Sequence, residues 1–131
     1  MKRDMDLVRQ ILLDFENGEK WLPCLTQAEA NALMCDDDNV VPDELAKARQ
    51  YHMIMLSRDG FIEASNLGGG WHIERMTTKG HDLIDAIRDD DTYRETKQVA
   101  NAVGGWTLDT IKEIAAGIVK TKIKQHSGID L

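Results

Sequence analysis

Residues 52–62, with the sequence HMIMLSRDGFI, decide the fold because they join the end of a helix to the start of a strand. Met53 and Leu56 are three positions apart, so they fall on one side of a helix and seat it on a core. Gly60 allows the left-handed backbone conformation that ends a helix. The apolar pair Phe61-Ile62 then begins an extended segment. The stretch therefore predicts a helix followed directly by a strand.

A β-hairpin is predicted on the C-terminal side of this stretch. Residues 61–64 have strand character, and residues 71–76 alternate apolar and polar side chains. Between them, Asn66 and Gly68-Gly69-Gly70 supply a reversal. Two strand-like runs around a short glycine turn are typical of antiparallel pairing.

Three helices are predicted on the N-terminal side. Apolar residues recur with a helical period over residues 5–15, and Asn17-Gly18 supplies a stop. Thr26 is expected to cap a short second helix, with Glu29 completing a capping box. The third helix is expected over about residues 43–59, after Pro42. The segment between the first two helices, residues 19–26, is predicted to be irregular.

Three further helices are predicted after the hairpin. Thr77 or Thr78 caps the first of them. Asp91 or Thr92 is expected to cap the next helix, which ends at about Val103 before Gly104-Gly105. The last helix is predicted over about residues 108–124.

This order of elements predicts a mainly α fold with a small β-hairpin. Helix, helix, helix and hairpin are the order of a winged helix-turn-helix core, here followed by C-terminal helices. We expect a winged-helix-like domain at residues 1–91. Residues 92–131 are expected to be a helical extension that packs on this domain or forms a dimer interface.

Several motifs resemble known families. Residues 52–62 resemble the end of the recognition helix in many winged-helix regulators, whose pattern is H-L-x-x-L-x-x-x-G-L-I. Residues 75–83, RMTTKGHDL, resemble their second wing strand running into a capped helix. A longer resemblance is to the bacterial and phage family catalogued as domain of unknown function 2513. It rests on residues 1–8 (MKRDMDLV), Tyr51-His52, residues 80–89 (GHDLIDAIRD), Thr96-Lys97 and the Gly104-Gly105 break.

This family resemblance implies a winged-helix-like fold and a mobile-element context, and it implies no established activity. Residues 22–44 are longer and more acidic than the family pattern.

The first functional hypothesis is a small winged-helix, DNA-binding transcription regulator of phage or mobile-element type. One side of the helix at residues 43–59 would enter the major groove, where Lys and Gln read bases and Tyr contacts phosphate or a thymine methyl group. Arg75 and Lys79, near the hairpin base, would hold backbone phosphate. The expected groove contacts are Lys47, Gln50, Tyr51 and Arg58, which share this side with Ile54.

The alternative hypothesis is an acidic protein-binding module, for example an inhibitor that blocks a host nucleic-acid-binding or defence complex. Two acidic runs would meet a basic protein partner; they are Asp36, Asp37 and Asp38, and Asp89, Asp90 and Asp91. The net charge of −7 and a hairpin tip without Lys or Arg favour this alternative.

A homodimer is a further prediction. Leu108, Ile111, Ala115 and Ile118 have spacings of 3, 4 and 3, the pattern of a seam that two helices share. The alternative is that the whole stripe belongs to the core of one chain.

Composition and motifs argue against several other classes of protein, among them membrane proteins, disulfide-rich proteins and enzymes. The chain has 131 residues, of which 42 % are hydrophobic and 30 % charged, as expected for one globular protein. No apolar run approaches the ~18 residues of a membrane span, the start does not read as a signal peptide, and a cytoplasmic location is expected. Cys24 and Cys35 make no disulfide framework. Neither metal spacing nor a catalytic motif occurs, so no metal, cofactor or enzymatic activity is predicted, and His52 and His81 are expected to be packed and hydrogen-bonded.

Overall fold

The computed structural model describes residues 2–34 and 37–127, with the backbone alone at Asp37. By its internal contacts the chain forms two compact units, with the boundary along the sequence after Gly80. The division predicted after residue 91 stays a prediction, because compactness does not test which segment folds by itself.

The first unit contains three helices and three strands in the described part of the chain. The elements are α1 (Met5–Glu16), β1 (Trp21–Pro23), α2 (Gln27–Leu33), a 3₁₀ turn (Asp37–Asn39), α3 (Asp43–Arg58), β2 (Ile62–Asn66) and β3 (Gly70–Met76). The next helix, α4 (Thr78–Ile87), crosses the division between the units. The predicted fold class, mainly α with a small β-hairpin, is confirmed.

The three strands form one antiparallel sheet with the order β1-β3-β2. The hairpin β2–β3 is confirmed. The prediction that residues 19–26 are irregular is wrong in part, because Trp21 pairs with His72 and Leu22 with Trp71. Three residues, the last of them a proline, are too few to show the alternation of a strand in the sequence. The extended conformation of β1 is stabilised by its pairing with β3.

The predicted helix ends agree closely with the structure in this unit. The Asp4 carboxylate accepts from Leu7 N and caps α1, and Gly18 follows the helix with a φ of +97°. Thr26 and Glu29 form the predicted capping box of α2. Each cap satisfies backbone N–H groups that the helix itself leaves unpaired.

The core of the first unit is formed by α1, α3 and the sheet. Its members are apolar side chains with at most 8 % of their surface exposed; they include Met5, Val8, Ile11, Leu12, Ala46, Met53, Leu56, Phe61, Ile62, Trp71, Ile73 and Met76. Met53 and Leu56, from the stretch that predicted the fold, are fully buried.

The start of α4 lies close to the stretch that joins α3 to β2. The Thr77 hydroxyl accepts from Gly80 N and donates to the Gly60 carbonyl oxygen. Gly80 is packed so closely that a β-carbon at this position would overlap the Phe61 carbonyl oxygen and the Met76 side chain. Glycine at residue 80 is therefore required by space and not by backbone conformation.

The second unit contains the rest of α4 together with α5 (Asp90–Val103) and α6 (Leu108–Ser127). Asp89 caps α5, since its carboxylate accepts from Thr92 N at 2.9 Å. The prediction that Asp91 or Thr92 is the cap is wrong by a few residues, because any of three adjacent aspartates satisfies the cap pattern. This hydrogen bond lowers the pKa of the Asp89 carboxyl. Gly104 ends α5 in the left-handed conformation, as predicted.

Among the described residues, every helix is too short or too polar to span a bilayer.

Candidate functional site

A buried histidine fixes α3 in the first unit. The Asp4 backbone N–H donates to His52 Nε2 at 2.7 Å, and His52 Nδ1 lies 2.7 Å from the Ala48 carbonyl oxygen. Because the amide of Asp4 can only donate, Nε2 must accept, and the ring proton belongs on Nδ1. One neutral tautomer therefore gives both ring nitrogens a hydrogen-bond partner. Through these bonds, His52 links the start of α1 to α3.

Two polar side chains of α3 hold the end of β1. Arg49 Nη1 donates to the Pro23 carbonyl oxygen at 2.9 Å, and Gln50 Nε2 donates to the Cys24 carbonyl oxygen at 2.7 Å. Gln50 is one of the predicted groove contacts, but its amide is occupied in this structure. No sequence signal indicates either hydrogen bond, since both acceptors are backbone atoms of a segment predicted to be irregular.

The solvent side of α3 presents a continuous stripe, which we call the α3 face. Its members are exposed and have spacings of 3, 4, 3 and 4; they are Glu44, Lys47, Tyr51, Ile54 and Arg58. Tyr51 and Ile54 are 38 % and 40 % exposed. Lys47 and Arg58 have no ion-pair or hydrogen-bond partner among the described residues. They stand three helical turns apart, about 16 Å along the axis, with the two large side chains between them.

Acidic residues stand at both ends of α3. Asp43 and Glu44 occupy its first turn, where the helix dipole favours them, and Asp59 is its C-terminal cap. Residues 1–80 carry nine basic and fourteen acidic side chains, a balance of −5. The α3 face is therefore a small positive stripe within an acidic unit.

The hairpin tip brings no cation to this face. Leu67, 63 % exposed, and Gly68, with a φ of +91°, form its turn. Arg75, predicted as a phosphate contact, instead makes two hydrogen bonds to Glu63 across the strands, at 2.7 and 2.9 Å. These bonds lower the pKa of the Glu63 carboxyl and raise that of Arg75. Arg75 is thus already neutralised by a partner.

Lys79 lies at the hairpin base, as predicted. Its Nζ donates to the Asp59 carbonyl oxygen at 3.1 Å and stands 4.5 Å from the centre of the Phe61 ring. Both contacts leave the charge at the surface, next to the C-terminal end of α3. Lys79 is therefore placed with Arg58, whereas Arg75 and Gln50 are engaged elsewhere.

The residues of the predicted acidic patches are not equivalent. Asp36 and the side chain of Asp37 lie outside the described residues, and Asp38 is exposed. Asp89 is used as the cap of α5, and Asp91 pairs with Arg94 at 3.0 Å. The run from Asp89 to Asp91 thus serves the start of a helix, although Asp90 is exposed as well.

The residues of the predicted dimer seam are mostly inaccessible. Leu108, Ile111 and Ala115 are at most 4 % exposed, so they cannot form an interface in the folded chain. Ile118 is half-buried. With Ile114, Val119 and Ile123, the apolar residues of α6 extend over about 180° of the helix circumference, so sequence alone does not tell which side faces the core.

Other reactive side chains are placed as structural residues. Burial raises the pKa of the Cys24 thiol to about 11, so it stays protonated near neutral pH and is a poor nucleophile or metal ligand. Cys35 lies outside the described residues. His52 is packed and hydrogen-bonded as predicted, whereas the same prediction is wrong for His81, which is exposed. No cluster of potential metal ligands occurs within the described ranges.

Comparison with known proteins identifies the family of the chain. The family model described as "Hypothetical protein (DUF2513)" matches residues 2–106. The chain belongs to this family. A protein of Haemophilus influenzae, described as "Uncharacterized protein", is 33 % identical over 124 residues, covering 91 % of this chain and 96 % of the relative. No solved structure matches the chain.

The DUF2513 match covers the whole first unit from residue 2 and ends before α6. It includes Gly80, whose position against the Phe61 carbonyl oxygen gives a physical reason for the glycine that begins residues 80–89. It also includes the α3 face. The resemblance predicted from sequence is thus confirmed at the level of the family.

Proposed function

We propose that this DUF2513 protein is a cytoplasmic, non-enzymatic regulator that binds duplex DNA through α3. The helix would lie in the major groove, with Lys47 and Arg58 on phosphates and Tyr51 and Ile54 against base edges. Lys79 would add a phosphate contact beside Arg58. This set is smaller than the sequence suggested, since Gln50 and Arg75 are occupied by other partners.

The order of elements supports this proposal. Helix, strand, two helices and a hairpin, with the first strand beside the last, resemble the arrangement of winged helix-turn-helix domains. In such domains the helix before the hairpin is the one that meets DNA. Here that helix is α3, and its anchored side contacts β1 and α1 while the α3 face is open to solvent.

The observation that carries the proposal is the pair of unpartnered cations at both ends of an exposed Tyr51–Ile54 pair. A structural role would bury or pair these side chains, whereas contact with phosphates needs both cations free. The spacing of about 16 Å follows from three helical turns and suits a helix lying along a groove.

The acidic character of the unit favours the second candidate function, a module that binds a basic protein. Glu44 and Asp43 would then contribute to the contact, together with the exposed Asp38. DNA and a basic protein make opposite demands on charge, so substitutions in the α3 face distinguish the two.

The first test measures binding of a labelled random-sequence duplex at low salt by fluorescence anisotropy. We expect micromolar binding by the unsubstituted chain, and a loss of about fivefold to tenfold for Lys47→Ala and for Arg58→Ala. Affinity falls as salt rises, and each substitution should reduce the magnitude of the slope of log affinity against log salt concentration by about one. Glu44→Gln should strengthen binding, because it removes a repelling carboxylate.

Arg94→Ala is the matched control, because it removes an exposed arginine from α5 of the second unit. It should leave affinity and salt slope nearly unchanged. If no duplex binds at low salt, the proposal is wrong. Equal losses for Arg94→Ala and Arg58→Ala would show that binding follows net charge and not the α3 face.

A further inference from the structure

An open groove of about 490 Å³ runs along the surface between α5 and α6 in the second unit. Its apolar walls are Val99, Ile114 and Ile118, and Val99 is 43 % exposed. One turn further along α5, Val103 is 69 % exposed. Branched aliphatic side chains gathered on one exposed surface indicate a site that another apolar surface covers.

Gly117 lines this groove, is exposed, and lies in the middle of α6. A β-carbon at this position would meet nothing within 4 Å, so packing inside the chain does not require glycine here. Glycine within a helix costs about 1 kcal/mol relative to alanine. Close approach of another backbone would give this position a role, since only glycine leaves the helix surface bare.

The charges along the exposed side of α6 are divided between its two halves. Asp109 and Glu113 are in the N-terminal half, and Lys120 and Lys124 are in the C-terminal half. Glu113 and Lys120 are exposed, and neither has a polar partner among the described residues. A helix with this distribution is complementary to an antiparallel copy of itself.

We infer that this groove is the docking site of a second copy of the chain, with the two α6 helices antiparallel and crossing at Gly117. Glu113 of each copy then faces Lys120 of the other. Of the seam predicted from sequence, this interface keeps only Ile118, which lines the groove, because Leu108, Ile111 and Ala115 are buried. It uses no residue of the α3 face, so it is independent of DNA binding.

The test is the mass of the full chain in solution, measured by light scattering during size-exclusion chromatography. The unsubstituted chain should have twice the 14.8 kDa mass of one copy. Gly117→Lys should reduce the mass to that of one copy, because a long charged side chain fills the crossing point. The substitution should not lower the thermal midpoint of unfolding of the monomer, since lysine is a better helix former than glycine.

Further variants test this result. Asn101→Lys adds the same charge at an exposed position of α5 that does not line the groove, and it should leave the dimer intact. Glu113→Lys and Lys120→Glu should each weaken the dimer, and together they should restore it, because the pair is then reversed in both copies.

A chain that has the mass of one copy at concentrations up to about 1 mM would overturn the inference. So would a dimer that Gly117→Lys leaves unchanged. If Glu113→Lys and Lys120→Glu fail to restore the dimer when combined, the antiparallel arrangement is wrong.

Discussion

Gly80→Ala should destabilise the protein by about 3 kcal/mol, the upper end for overpacking a well-packed site. The added methyl group would overlap the Phe61 carbonyl oxygen, which belongs to backbone and cannot rotate away. Removing this overlap requires the start of α4 to shift away from the turn between α3 and β2. The shift breaks the hydrogen bonds that Thr77 makes with Gly60 and Gly80. Urea unfolding followed by circular dichroism measures the free energy of unfolding.

Gly105→Ala is the control for this substitution. A β-carbon at Gly105 meets nothing within 4 Å, and the backbone is not in the left-handed region. We expect its free energy of unfolding to stay within about 0.5 kcal/mol of that of the unsubstituted chain. A Gly80→Ala chain as stable as the Gly105→Ala chain would show that the close approach at Phe61 does not exist in solution.

His52→Leu should also be strongly destabilising, with a loss of about 2–4 kcal/mol in the free energy of unfolding. The leucine keeps an apolar side chain in the core but leaves the Asp4 N–H without its acceptor and removes the link between α1 and α3. Because the Asp4 N–H lies at the start of α1, this helix should lose amide protection in hydrogen exchange before α5 does.

His81→Leu serves as the comparison, because His81 is exposed on α4. Its free energy of unfolding should change by less than about 0.5 kcal/mol. If the two histidine substitutions have equal effects, the buried hydrogen bonds of His52 do not contribute as the structure implies.

Most of the fold could be predicted from local sequence signals. Gly60, the Thr26–Glu29 capping box and Gly104 act within one turn of the chain, so their patterns locate helix ends without knowledge of tertiary structure. β1 could not be predicted, because a strand of three residues exists only through its pairing with β3.

The candidate site was predictable only in part, for a similar reason. Helical spacing placed Lys47, Tyr51 and Arg58 on one side of α3, and they are exposed there. Spacing could not show that Gln50, on the edge of the same side, reaches the Cys24 carbonyl oxygen, or that Glu63 lies across the strands from Arg75. Long-range partners decide which polar groups remain free, and sequence periodicity carries no information about them.

Binding through α3 is tested most directly by amide chemical shifts, recorded by NMR while a short random-sequence duplex is added at low salt. The account predicts that shift changes concentrate at Glu44, Lys47, Tyr51, Ile54 and Arg58, with smaller changes at Lys79 and almost none along α6. Arg58→Ala should reduce the changes at every one of these positions for the same amount of duplex. Changes confined to residues 90–127, or none at all when the duplex is in excess, would contradict it.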